Sequence, residues 1–286
     1  MKIAVIGGKG RWGSCFVIVL RKNGHEVSII DTCHSPDKHS CKDADVVIMA
    51  TRGEHFIGAC EMWLENISET MIVLNATKAI FAENGRMLLP HRILKRYTQR
   101  YATFACGGFP EDIGRGFPVD ATLFSGFTEI PVLTIRDLFD NTPIKIGLYS
   151  EDITGGEIGS ALKNIAAIAS GMCHELGYPE MTRSMLMNKI GREIIQIATK
   201  HGADPGTFSL GRTCFAADYM GTGFSHISHN FRAGMALARK LQPKIKLMLL
   251  SLSCRRRVQR EDFFLSHTHR NRSVLWFRCP VFLDYS

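Results

Sequence analysis

The sequence predicts an α/β fold, in which a doubly wound, mostly parallel sheet at the N-terminus is followed by an all-helical C-terminal domain. Two observations support this prediction. Short apolar runs alternate with helical segments through the first half of the chain, which favours right-handed connections and a parallel sheet. After Tyr149 the strand signals stop and long helical patterns begin. We therefore divide the chain into domains at 1–150 and 151–240, followed by an atypical basic tail at 241–286.

The first half of the chain shows its strand and helix signals in regular order. Residues 2–6 form a short apolar run that is typical of a buried parallel strand. Further strands are predicted at 27–30, 46–50, 71–74, 102–106, 119–124 and 144–149. Helices are predicted between them at 12–22, 55–65 and 130–139. This alternation is the pattern of a doubly wound sheet.

The second half begins with two long helical patterns, over residues 152–176 and 181–200. The first pattern predicts one buried apolar face, formed by Ile158, Leu162, Ile165, Ala169 and Met172. The small residues of this helix suit a tight helix–helix contact, and we expect a homodimer. From residue 241 onward the apolar residues follow no clean period, so no element is predicted there.

Charge and hydropathy exclude two classes of partner. The formal net charge is +8, but residues 241–286 hold nine basic and three acidic residues, so the rest of the chain carries only +2. We therefore expect no nucleic-acid partner. No apolar stretch is long enough to span a bilayer, and the N-terminal apolar run lacks a cleavage-site pattern. We expect no membrane insertion and a cytoplasmic location.

The cysteines are candidates for disulfide bonds and for metal binding. Nine cysteines without a CxxC pair favour a reducing compartment over a disulfide framework. Cys33, His34, His39 and Cys41 lie close enough in the sequence to hold zinc. Their spacing matches no zinc-finger pattern, so we expect a polar surface loop and no metal.

A glycine-rich motif follows the first strand. Gly8-Lys9-Gly10-Arg11-Trp12-Gly13 matches G-x-G-x-x-G, a helix follows it, and Asp31 ends the second strand. This is the context in which the motif binds dinucleotides in a Rossmann-type domain. An acidic residue at the end of the second strand accepts hydrogen bonds from the adenine ribose and repels a 2′-phosphate, so we expect NAD rather than NADP. The alternative is a glycine-rich turn without a ligand. The candidate cofactor-binding residues are Gly8, Gly10, Arg11, Trp12, Gly13 and Asp31.

Two lysines and one polar cluster are candidates for the reaction site. Lys78 follows the fourth strand, at the edge where open α/β sheets bind ligands. Lys163 lies within the long apolar helix beside Asn164, and a buried lysine must be paired or functional. The alternative places both lysines on solvated faces. The polar cluster consists of Asp218, Thr222, Ser228, His229, Asn230 and Arg232. The alternative interpretation of this stretch is a surface loop with a helix cap.

Roughly residues 1–240 resemble the NAD(P)-dependent glycerol-3-phosphate dehydrogenase family. The glycine motif is similar to that family's G-x-G-x-W-G, and residues 202–208 are similar to a family linker. Three further segments carry the resemblance: Asn75-Ala76-Thr77-Lys78 (family N-A-T-K-G, with Ala79 replacing the glycine), the helix segment Gly156 to Asn164 (family G-A-L-K-N), and Asp218 through Thr222 to Asn230 (family G-D-L…T…S-R-N).

The resemblance implies hydride transfer from NADH to dihydroxyacetone phosphate, giving sn-glycerol 3-phosphate for phospholipid synthesis. It implies that Lys163 is the general acid and that Lys78 holds and polarises the substrate. Asn164, Asp218 and Thr222 would orient this phosphorylated small molecule. Its phosphate would be contacted by His229, Asn230 and Arg232.

The sequence departs from the family pattern at several positions. His229 stands where the family has a phosphate-binding arginine, and Arg232 is its candidate replacement. Residues 106–109 are one residue shorter than the family's S-G-P-S-F. The alternatives are a dehydrogenase of another small hydroxy acid or sugar phosphate, and a non-catalytic NAD-binding protein. The glycine motif also resembles that of prephenate dehydrogenases, whose second domain lacks the Lys163-Asn164 pattern.

Overall fold

The computed structural model describes residues 1–31, 41–126 and 129–253 of the 286-residue chain. The strands in these ranges are Lys2–Ile6 (β1), Glu26–Ile30 (β2), Val46–Met49 (β3), Ile72–Asn75 (β4), Phe81–Glu83 (β5), Arg86–Leu88 (β6), Tyr101–Cys106 (β7), Val119–Phe124 (β8) and Ile144–Ser150 (β9). The α-helices are Arg11–Lys22 (α1), Gly53–Trp63 (α2), Pro90–Leu94 (α3), Pro110–Gly114 (α4), Glu129–Leu138 (α5), Ile153–Glu175 (α6), Glu180–Lys200 (α7), Phe215–Phe224 (α8) and His229–Ser253 (α9). A short 3₁₀ helix spans Pro205–Phe208.

Seven strands form one sheet in the order β2-β1-β3-β4-β7-β8-β9. All neighbouring strands in it are parallel except β7 and β8. Helices α1, α4 and α5 cover one face of the sheet, and α2 and α3 cover the other. The predicted doubly wound sheet is therefore confirmed. The strand order reverses between β1 and β3, and the carboxyl ends of these strands frame the crevice where such sheets bind ligands.

A small hairpin, β5–β6, was not predicted. Its two-residue turn consists of Asn84 and Gly85, whose φ angles are 53° and 73°. Asn-Gly is the residue pair that favours this type of tight turn, so a sequence signal was present. The Phe81 ring stacks on Phe56 of α2, and Met87 packs against the core of the helical domain. The hairpin therefore contributes to the contact between the two domains.

Four helices, α6 to α9, form the predicted all-helical domain, with α6 packed against the other three. A side chain at Gly171 of α6 would overlap the carbonyl oxygen of Phe231, and one at Gly234 of α9 would overlap that of Ile168. The absence of side chains at these glycines lets the two backbones approach closely. The small residues of α6 are thus used inside the chain, and the homodimer stays a prediction.

The helical domain differs from the sequence expectations in two respects. Ile158 and Leu162 of the predicted apolar face are buried, but Ile165 is 42% exposed. The reason is that α6 is enclosed on several sides and buries mainly glycine, alanine and serine instead of one apolar stripe. Helix α9 also continues to Ser253, past the predicted boundary at residue 240.

Two sequence expectations depend on parts of the chain that the structure describes incompletely. Of the four possible zinc ligands, Cys33, His34 and His39 lie outside the described residues, and Cys41 is buried. The basic tail from residue 254 onward also lies outside them. None of the described helices combines the length and the hydropathy that crossing a bilayer requires.

Candidate active site

The glycine motif forms a tight loop between β1 and α1, in which side chains at several glycine positions would collide with their surroundings. Gly7, with φ at 80°, accepts a hydrogen bond from the Gly10 N–H at 2.9 Å. A Cβ at Gly8 would lie 2.8 Å from the Ile29 side chain, and one at Gly13 would overlap the Gly7 carbonyl oxygen. The first turn of α1 has no side-chain cap. Its N–H groups and the helix dipole therefore favour an anion at this loop.

The other predicted cofactor residues surround this loop. Asp31 directly follows β2, whose last residue accepts the Gly7 N–H at 2.9 Å. Trp12 packs on the core beside Phe104, at 6.3 Å between ring centres. The Arg11 guanidinium forms a two-pronged ion pair with Glu111 of α4, with both N–O distances at 2.6 Å. Glu111, which sequence reasoning missed, thus fixes the Arg11 side chain across the loop.

Lys78 lies just past the carboxyl end of β4, in a turn fixed by its neighbours. The Asn75 side chain accepts the Thr77 N–H at 2.9 Å, and the Thr77 hydroxyl lies within hydrogen-bond distance of carbonyl oxygens at the end of β3 and in the loop after β3. These bonds aim Lys78 toward the helical domain. Its Nζ lies 3.4 Å from Oδ2 of Asp218 and 5.7 Å from the centre of the Trp12 ring.

Lys163 approaches the same carboxylate from α6. Its side chain is 4% exposed, and its Nζ forms an ion pair with Oδ1 of Asp218 and donates to the Thr222 hydroxyl at 2.9 Å. Asp218 and Thr222 lie one turn apart on α8, so both face α6. Four predicted site residues from three distant segments therefore meet at one point.

Burial and neighbouring charge set the two lysine pKa values apart. Burial, with the nearby Lys78 cation, lowers the pKa of Lys163 to about 8, although the Asp218 carboxylate opposes this shift. Burial also acts to lower the pKa of Lys78, but the Asp218 carboxylate, the Cys106 and Cys214 thiols and the contact with Lys163 together outweigh burial and raise that pKa. Of the two lysines, Lys163 therefore has the lowered pKa and Lys78 the raised one.

The remaining predicted substrate residues lie at the start of α9, apart from Asn164 on α6. The Asn230 amide donates to the Asn164 side chain at 2.8 Å, which places this pair beside Lys163 on α6. His229 and Arg232 are exposed and lie outside the buried cluster. The Arg232 guanidinium lies 3.1 Å from Nδ1 of His229. Arg232 therefore reaches the position that His229 occupies.

A buried carboxylate that the sequence analysis missed ties the two domains together. Glu157 of α6 accepts hydrogen bonds from the His91 N–H at 3.0 Å and from the Thr103 hydroxyl at 2.8 Å. Nδ1 of His91 also lies 2.7 Å from it. A glutamate inside an apolar helix was the available signal, because a buried carboxylate needs partners. These bonds fix α6, and with it Lys163, against the sheet.

An open cavity of about 350 Å³ lies beside Asp218 and Thr222, between α8 and the loop after β7. Its walls include Gly107, Phe109 and Val119. The cavity therefore reaches from the shortened 106–109 segment to the carboxylate that both lysines contact. It gives a small molecule access to the buried cluster from solvent.

This fold and site define the class of NAD(P)-dependent oxidoreductases that join a Rossmann-type domain to an all-helical domain. The family model described as NAD-dependent glycerol-3-phosphate dehydrogenase C-terminus matches residues 152–253. The chain belongs to the NAD(P)-dependent glycerol-3-phosphate dehydrogenase family.

Individual relatives agree with this assignment. A glycerol-3-phosphate dehydrogenase (NAD(P)+) of Carboxydothermus hydrogenoformans is 30% identical over 200 residues, which cover 68% of this chain and 58% of that protein. The enzyme of the same name from Levilactobacillus brevis is 29% identical over 275 residues, covering 83% and 79%. This chain thus spans little more than half the length of the first relative. The structure of glycerol-3-phosphate dehydrogenase from Coxiella burnetii shares the fold, with a TM-score of 0.73 at 18% identity over 88% of this chain and 90% of that one.

Proposed function

We propose that this chain interconverts dihydroxyacetone phosphate and sn-glycerol 3-phosphate, with NAD as its cofactor. The observation that carries the proposal is the shared carboxylate of Asp218, which Lys163 of α6 and Lys78 at the sheet edge both contact. A fixed cation beside a proton-donating lysine suits a reaction in which negative charge develops on a carbonyl oxygen. The proposed physiological role is the supply of glycerol phosphate for phospholipid synthesis, in the cytoplasm.

The glycine loop fits a dinucleotide, because side chains at Gly8 or Gly13 would collide with their surroundings and the uncapped start of α1 favours an anion. Asp31, at the end of β2, supports NAD over NADP because its carboxylate repels a 2′-phosphate. Bound nicotinamide supplies the hydride for the carbonyl carbon. Lys163 donates its Nζ proton to the carbonyl oxygen of the substrate.

The neighbours of Lys163 prepare that proton transfer. Asp218 and Thr222 hold its Nζ in place, and Lys78 stabilises the charge on the oxygen until the proton arrives. Asn164 and Asn230 orient the substrate. His229 and Arg232 supply the donors for its phosphate at the exposed start of α9.

Oxidation of NADH and of NADPH, followed by absorbance, tests this proposal with dihydroxyacetone phosphate and with unphosphorylated dihydroxyacetone. We expect turnover with NADH that is confined to the phosphorylated ketone, and much slower turnover with NADPH. Equal turnover of both ketones would contradict phosphate recognition. NADH binding without turnover of either ketone would indicate another substrate or a non-catalytic protein.

The pH profile of ketone reduction is expected to follow Lys163. A general acid must be protonated, so kcat/KM for reduction should be level below about pH 8 and fall above it, because the Lys163 pKa is about 8. Glycerol phosphate oxidation needs the unprotonated lysine, so kcat/KM for oxidation should rise with pH and become level above about pH 8. Lys78→Met removes a cation that lowers the Lys163 pKa. In this variant, the fall in kcat/KM for reduction should therefore begin at a higher pH. If kcat/KM for reduction falls at the same pH in this variant as in the wild-type chain, a group other than Lys163 titrates.

Replacing His229 by arginine is expected to lower the KM for the phosphorylated ketone. Arginine presents a two-pronged donor that is charged at any pH, and such a charge-assisted bond corresponds to about a 10-fold effect. The KM for unphosphorylated dihydroxyacetone serves as the control and should not change. An unchanged KM for the phosphate substrate would show that Arg232 already provides the full phosphate contact.

A further inference from the structure

A buried arginine spans the turn that joins α8 to α9. Arg183 of α7 is 5% exposed, and its guanidinium lies 4.8 Å from the ring centre of Phe224 and 5.5 Å from that of Phe231. Phe224 is the last residue of α8, and Phe231 lies in the first turn of α9. One cation therefore contacts both ends of the turn formed by residues 225–228.

Two histidines extend this cluster. Nδ1 of His174, on α6, lies 3.1 Å from a guanidinium nitrogen of Arg183, and since arginine only donates, that ring nitrogen is the acceptor. His226, inside the turn, packs its ring against His174 at 5.0 Å and against Phe231 at 5.1 Å. The turn is thus attached to α6 and α7 through the same few side chains.

Packing alone does not explain a cation at this position. The Nε of Arg183 is buried without a hydrogen-bond partner, and no carboxylate within the described ranges pairs with its guanidinium. Burying a cation without a counter-charge is unfavourable, so an apolar side chain of similar length would pack at lower cost. The arginine is instead explained by where the turn lies, next to the side chains of the proposed reaction.

The turn joins the two groups of side chains that the proposed reaction uses. Thr222, which accepts the Lys163 hydrogen bond, lies two residues before Phe224, while His229 and Asn230 begin α9 immediately after the turn. Within the turn, the Ser228 hydroxyl caps α9 by accepting the Phe231 N–H at 3.2 Å. A displaced turn would therefore move the phosphate contacts relative to Lys163.

We infer that Arg183 is a positioning residue, which acts through Phe224, Phe231 and His174 to hold the α8–α9 turn, so that the start of α9 is in place to bind the substrate phosphate. This inference rests on the proposed function. Arg183→Met is expected to raise the KM for dihydroxyacetone phosphate about 10-fold, with a smaller change in kcat and an unchanged Kd for NADH. Arg183→Lys keeps a cation over the rings, so its KM should lie between those of Arg183→Met and the wild-type chain. The control is Arg239→Met, at an exposed arginine paired with Glu175 on the same domain, and it should leave the KM unchanged.

A second variant and a second measurement separate positioning from folding. His226 is exposed, so His226→Ala should fold normally and still raise the KM about 3-fold. Amide hydrogen exchange at Ser228, Phe231 and Arg232 should be faster in both variants than in Arg239→Met. If Arg183→Met does not fold, the KM and the exchange rates of His226→Ala decide whether this cluster positions the turn.

Unchanged KM and exchange rates in both variants, with only a lower Tm, would overturn the inference. A wild-type chain that binds NADH but does not turn over dihydroxyacetone phosphate would refute the proposed function, whereas the exchange rates would still decide whether Arg183 holds the turn.

Discussion

Replacing Lys163 by methionine is expected to lower kcat for ketone reduction by ~100-fold or more, the scale on which a general acid contributes. Methionine is unbranched and of similar length, so it fills the buried site without leaving a large cavity. Asp218 keeps a counter-charge, because Lys78 lies 3.4 Å from it. The Kd for NADH should change little, since the glycine loop lies on the other domain. Steady-state kinetics and an NADH titration measure the two quantities separately.

The matched control is Lys200→Met, at an exposed lysine that ends α7. It removes the same charge and adds the same side chain far from Asp218, and it should leave kcat unchanged. Equal losses of turnover and NADH binding in Lys163→Met would show that Lys163 has a structural role. A loss of turnover in both variants would show that net charge, and not the site, determines activity.

Replacing Gly13 by alanine is expected to destabilise the chain by about 2 kcal/mol and to weaken NADH binding more than 10-fold. The added Cβ would overlap the Gly7 carbonyl oxygen and lie 2.8 Å from the Gly8 Cα. Both neighbours are backbone atoms, so the whole loop must move. The Gly7 carbonyl also accepts the Gly10 N–H at 2.9 Å, so this movement would disturb the proposed phosphate site.

Gly58→Ala provides the control for that substitution. Gly58 is exposed within α2, and a Cβ there meets nothing within 4 Å. Alanine should therefore stabilise the chain by up to about 1 kcal/mol through its helix propensity. Urea unfolding measures both free energies of unfolding. Equal free energies of unfolding for the two variants would show that close packing does not require glycine at position 13.

Much of the N-terminal domain was predictable because its signals are local. Seven predicted strands and the glycine loop appear close to their expected positions, since apolar runs, strand-ending polar residues and glycines act over a few residues. The hairpin had an equally local signal, Asn84-Gly85, which was overlooked. Helix α9 was not predicted as an element, because its start was interpreted as part of a polar cluster or surface loop and the apolar residues from 241 onward follow no clean period.

Contacts between distant segments were not predictable in the same way. Glu111 is paired with a residue 100 positions away, and Glu157 bonds to His91 across 66 positions. Arg183 is buried between two helices that follow it in the chain. Nothing in the spacing of these residues specifies their partners, because the sheet order and the helix crossings decide which segments meet.

Local sequence signals were enough to predict the doubly wound sheet, the glycine loop, the helical second domain and the identity of the candidate lysines. These features depend on backbone geometry and side-chain chemistry within short stretches. The meeting of Lys78 and Lys163 at Asp218, and the opposite shifts of the two lysine pKa values, emerge from the packing of the tertiary structure. That difference arises from burial and from charges that act through space, so it exists only once the two domains are packed together.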